Sequence, residues 1–143
     1  RRSAATLNRD CAYIVRRLLG GQQNVLVRSD EVEVREAAPG IKNQVLIDGR
    51  PGVESKHISL VKACYGPGVS FSTHVHEVEE AFIVVEGQAL SVIKGQSRLL
   101  KAGDAALVPA GAPHTLSNAS QTEDLVVIGA FAANKIVRRP VES

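Results

Sequence analysis

The spacing of apolar residues along this chain changes rhythm once. Over residues 7–19 the apolar side chains Leu7, Cys11, Ile14, Val15, Leu18 and Leu19 recur at steps of three and four, the spacing of one helix face, and Gly20-Gly21 stops the pattern. Beyond the glycines the rhythm is that of strands. Short apolar runs fall at 25–27, 32–34 and 41–47, with a turn predicted at 48–52. A longer run at 57–65 halts at the breaker Gly66-Pro67-Gly68. The β-branched run 81–85 leads to Gly87, whose freedom at positive φ suits a turn. Runs at 89–93 and 98–100 flank a hairpin turn at Gly95, 105–108 leads into a Pro-Gly turn, and 125–131 is strongly apolar. Residues 134–143 are more polar, as a mobile tail or an arm across a neighbour would be. Many short strands with one helix predict an all-β barrel or sandwich.

The candidate chemistry begins at His74-Val75-His76. Alternate residues of an extended strand share a face, so two imidazoles point the same way and could chelate one ion. Glu77, Glu79 and Glu80 follow closely, and Glu80 is best placed because it enters the apolar run 81–85. A His-x-His pair alone says little, since strands carry paired histidines for many other reasons. A second stretch, 103–118, strengthens it: His114 follows Pro109, Gly111 and Pro113, which restrict the backbone before it.

Together these residues carry a family resemblance. Gly68, His74, His76, Glu80 and Gly87 match the first cupin motif, and Gly103, Pro109, Gly111, His114 and Asn118 match the second, both without insertion or deletion. The chain thus resembles small metal-binding cupins. The resemblance implies a double-stranded β-helix, or jelly-roll barrel, over residues 23–133, after a helical segment at 1–22 and before a tail at 134–143. It implies His74, His76, Glu80 and His114 as metal ligands, with Asn118 outside the ligand set. It also implies a divalent transition metal, iron, manganese or nickel ahead of zinc or copper, and a homodimer.

Composition narrows the alternatives. A chain of 143 residues suits one domain, and 44% hydrophobic with 22% charged residues is ordinary for a globular protein. No apolar run approaches the ~20 residues of a membrane span. A net charge of +2 with 3% aromatics argues against nucleic acid as a partner. Cys11 and Cys64 define no disulfide framework and no metal pattern. The start carries no apolar secretory signal, so a cytoplasmic setting is expected; the chain begins at Arg1 and lacks methionine, as a piece of a longer protein would.

The function expected is a metal-dependent enzyme acting on a small, oxygen-rich organic molecule. Dioxygenase-like chemistry is favoured, and isomerase, decarboxylase and lyase chemistry also fall within the resemblance. Glu77, Glu79 and His57 are secondary candidates for proton transfer, although a charged residue beside a turn is more often simply solvated. The alternative is a cupin that binds or senses a small molecule without turning it over, and a third reading is a regulatory domain cut from a longer protein.

Overall fold

Alternation of inward apolar and outward polar positions folds this chain into two antiparallel sheets. The computed structural model describes residues 25–141, so the helix expected at 7–19 and Cys11 lie outside the described residues. A 3-10 turn at Ser29–Glu31 is followed by β1 (Arg35–Ala38), β2 (Ile41–Ile47), β3 (Ser59–Tyr65), β4 (His74–Val75), β5 (Glu80–Glu86) and β6 (Gln88–Ile93). Then come β7 (Gln96–Lys101), β8 (Ala105–Val108), β9 (His114–Asn118), β10 (Leu125–Phe131) and β11 (Arg139–Pro140). One sheet runs β1-β2-β3-β10-β5-β8 and the other β11-β4-β9-β6-β7. This is the all-β jelly roll that the strand pattern and the resemblance predict. No helix among the described residues is long and apolar enough to cross a membrane.

Strand β10 shows why the pattern folds this way. Leu125, Val127, Gly129 and Phe131 are buried at every second position, and the strand pairs with β3 on one side and β5 on the other. Leu125 and Val127 join Tyr65 of β3, Phe82 and Val84 of β5, Ala89 of β6 and Leu116 of β9 in one core drawn from both sheets. Each fully buried aliphatic side chain of this kind contributes roughly 1.5–3 kcal/mol. Gly87, between β5 and β6, adopts φ +84°, and a Cβ there would run into the Asp124 carbonyl. Only glycine meets both demands.

Three local expectations differ from the fold. The runs at 25–27 and 32–34 are not strands: Val25, Leu26 and Val34 stay exposed, with no neighbouring strand to bury them. The Gln44 side-chain amide instead donates to the carbonyls of Ser29 and Val32, at 2.6 and 2.9 Å, and holds this segment as a turn. Strand β9, rich in polar residues, carries no apolar run that would mark it in advance. Within the polar C-terminal stretch, Arg139 and Pro140 pair with Val75 and His74 of the same chain.

Candidate metal centre

Four of the residues singled out from the sequence converge at one end of the space between the sheets. His74 of β4 and His114 of β9 are direct register partners, so their side chains share a face. His76 follows the end of β4, and its carbonyl accepts a 2.7 Å hydrogen bond from the Gly111 N–H. Gly111 lies at φ +74° in the turn before β9, so the second stretch clamps the first. Glu80 opens β5, opposite Phe131 of β10 and Val108 of β8.

The donors lie close together. His74, His76 and His114 each offer a ring nitrogen, all within 4.8 Å of one another. Glu80 Oε2 stands 3.1 Å from His114 Nε2 and 3.5 Å from His76 Nε2. The His74 ring centroid is 4.9 Å from that of His76 and 4.3 Å from that of His114. His76 and His114 are buried, and the Glu80 side chain is only 14% exposed.

Main-chain carbonyls decide which nitrogen of each ring faces inward. Nδ1 of His74 lies 2.8 Å from the Ser72 carbonyl, Nδ1 of His76 2.7 Å from that of Val137, and Nδ1 of His114 2.9 Å from that of Ala112. A carbonyl only accepts, so each Nδ1 carries the proton, and in the neutral ring Nε2 keeps its lone pair. For His76 and His114 that lone pair meets a carboxylate oxygen, an arrangement that needs a proton or a cation between them. Three neutral imidazoles and one carboxylate, each imidazole held by an outer hydrogen bond, fit a divalent transition ion and leave coordination positions free.

Electrostatics agrees with the geometry. Burial lowers the His74 pKa to about 4, and its histidine neighbours add to that effect against the opposing Ser72 carbonyl and Glu80. Burial also works against the charged form of His114, but the hydrogen bond to Glu80, the Ala112 carbonyl and the Glu80 charge outweigh it and raise its pKa. Burial pushes the Tyr65 phenol up, Glu80 adds to the rise and Arg138 opposes it, so the hydroxyl keeps its proton at neutral pH.

A cavity of about 260 Å³ opens on the cluster. All four residues expected as ligands line it. Glu77, Glu79 and His57 do not: each is exposed, and Glu77 is paired with Arg139 at 2.5 Å. Asn118 holds structure, as its side-chain Nδ2 sits 2.7–3.1 Å from the carbonyls of Tyr65, Gly66 and Glu123. The sequence reading missed Tyr65, Phe71, Val137 and Arg138. Tyr65 was within reach of it, since Ser59, Val61, Ala63 and Tyr65 share the inward face of β3, whereas nothing local marks the C-terminal stretch as part of a cavity wall.

The fold and the site together are thus a jelly roll whose cavity is faced by three imidazoles and a carboxylate. The chain belongs to the cupin superfamily: the cupin domain family matches residues 61–131. It is similar to the HTH-type transcriptional regulator PuuR of Escherichia coli (strain K12), 26% identical over 100 residues that cover 69% of this chain and 52% of that protein. It is also similar to quercetin 2,3-dioxygenase of Bacillus subtilis (strain 168), 34% identical over 83 residues, 57% of this chain and 24% of the dioxygenase. The chain therefore spans about half or less of the length of these relatives. Among solved structures, an RmlC-like cupin from Shewanella frigidimarina NCIMB 400 superposes with a TM-score of 0.65 at 22% identity, over 78% of this chain and 91% of that one.

Proposed function

We propose that this protein is a metal-dependent enzyme acting on a small, oxygen-rich organic molecule, with His74, His76, Glu80 and His114 as the ligands of one divalent transition ion. The observation that carries the reading is the shared tautomer. Three Nδ1 atoms are tied to main-chain carbonyls, so three Nε2 atoms are left free toward one another and toward Glu80. A bound ion would supply Lewis acidity and open positions for a chelating substrate, and for dioxygen where the ion is iron. Iron, manganese or nickel suits such an open site better than a closed tetrahedral zinc.

The chain's own residues have separate tasks in this reading. The carbonyls of Ser72, Val137 and Ala112 orient the rings. Glu80, beside His114 Nε2, supplies the negative charge that balances the ion. The apolar walls, among them Ile41, Val61 and Phe82, exclude water from around a bound substrate. Dioxygenase-like chemistry is the favoured form, in keeping with the similarity to quercetin 2,3-dioxygenase.

Elemental analysis of protein purified without added metal tests the reading, with His76→Ala and His114→Ala alongside. About one ion per chain, lost in both folded variants, is the expected result, and its identity chooses the substrates for an oxygen-uptake assay. Wild-type protein that takes up none of iron, manganese, nickel, copper or zinc would overturn it. A second reading, a cupin that binds a small molecule without turnover, is favoured by the similarity to the regulator PuuR. Tight, metal-independent ligand binding with no turnover would select it.

A further inference from the structure

The C-terminal stretch completes the cavity in a way the cluster alone does not require. Arg139 pairs in register with Val75, and both point away from the cavity, where Arg139 meets Glu77. Strand alternation then turns Arg138 to the inward face that His76 shares, and Arg138 does line the cavity. Its guanidinium carbon lies 4.6 Å from the centre of the Phe71 ring, and Phe71 in turn packs edge-on against His74 at 4.9 Å. Among the described residues that line the cavity, Arg138 is the one with a fixed positive charge. No carboxylate among the described residues pairs with it, although its neighbour Arg139 has found one.

Stacking on an aromatic face holds a guanidinium by its plane and leaves its N–H edge free for a planar, bidentate anion. A second donor faces the same space. No side-chain polar atom among the described residues is both fully buried and unpartnered, so the Tyr65 hydroxyl, which bonds no other group among those residues, opens on the cavity. The remaining walls are mostly apolar and suit the carbon body of a ligand better than a second strong charge.

We propose that Arg138, held against Phe71, is a specificity residue that takes the carboxylate of the substrate, while Tyr65 donates a hydrogen bond to a ligand oxygen farther in. The substrate is then a compact organic acid, with a carboxylate at the Arg138 end and an oxygen donor at the histidine end. This rests on the metal-centre reading for the orientation of the ligand but not for the capture of the anion.

The test is calorimetric titration of the full chain, zinc-loaded and metal-free, with 3-hydroxybenzoate and its neutral amide as probes. Wild-type protein should bind the acid at least tenfold tighter than the amide. Arg138→Gln should lose about tenfold or more for the acid with no change for the amide, Arg138→Lys should recover part of the loss, and Tyr65→Phe should weaken the acid severalfold. Metal content and melting temperature should be unchanged in all three. Equal affinity for the acid in wild type and Arg138→Gln, or no binding of the acid by wild type, overturns the proposal. An acid that binds only to zinc-loaded protein and ignores Arg138 leaves the metal centre standing without this subsite. Arg138-dependent binding to a chain that takes up no metal does the reverse.

Discussion

The carbonyl of Val137 lies 2.7 Å from Nδ1 of His76, across 61 positions of sequence. One end of the chain therefore sets the tautomer of a ring in the middle of it. Cutting the chain after Lys135 should leave the core formed, because among the described residues the buried side chains end with Phe131. The same truncation removes the acceptor for His76, and loss of such an outer hydrogen bond weakens metal binding by about 10–100-fold. Metal titration of the truncated chain against the whole one checks this.

Proton and metal compete at His114. Its pKa is raised because the bond to Glu80, the Ala112 carbonyl and the Glu80 charge prevail over burial. A group raised on folding stabilises the metal-free fold fully below the unfolded histidine value near 6.5, and that contribution is lost as pH rises through the folded value. The same proton must leave before Nε2 can bind an ion. Metal affinity should rise with pH through a midpoint above that of a free imidazole, with release of about one proton. Glu80→Gln should shift that midpoint downward as well as weaken binding, and titrations between about pH 5.5 and 8.5 read both.

His74 works in the opposite direction. With its pKa lowered to about 4, it stays neutral in the fold while an unfolded chain would take up a proton below about 6.5. The metal-free protein should therefore lose stability from this residue as pH falls from 6.5 toward 4. His74→Gln should flatten that part of a urea-midpoint profile.

Asn118 ties β9 to the end of β3 and to the loop before β10. Its Nδ2 sits among three carbonyls and its Oδ1 accepts from the Ser120 N–H at 2.9 Å. Asn118→Ala should cost about 1–3 kcal/mol by leaving buried acceptors unmet. Asn118→Asp should cost more, since a carboxylate would face those same oxygens, and urea denaturation of both variants measures the difference.

Gly87 gives a sharper test of the turn between β5 and β6. Alanine there would combine a left-handed backbone with a collision against the Asp124 carbonyl. The left-handed conformation alone costs on the order of 1–3 kcal/mol, so Gly87→Ala should exceed that range. A thermal melt of the variant decides it.

Much of this architecture was legible beforehand, for reasons visible in particular residues. The runs 41–47, 105–108 and 125–131 coincide with β2, β8 and β10, because strands with a buried face must show their apolar residues. The four residues that meet at the cluster were also legible, since motif spacing reflects the turns that place them. What stayed hidden was held by the main chain or by distant partners. A carbonyl such as that of Val137 has no sequence signature, and Arg138 reads as one more basic residue until the Arg139–Val75 register turns it inward.

The Glu80–His114 contact joins residues 34 positions apart. An ion gripped by both would act as a removable cross-link, closing a loop through β5 to β9 much as a disulfide closes one. Unlike a disulfide, such a tie lasts only while the fold holds the donors together, so the ion favours the folded chain by binding it and not the unfolded one. Loading the site should therefore slow the opening of the barrel as well as equip it for chemistry, and the loss of the ion would return the whole β5–β9 segment to faster exchange with solvent.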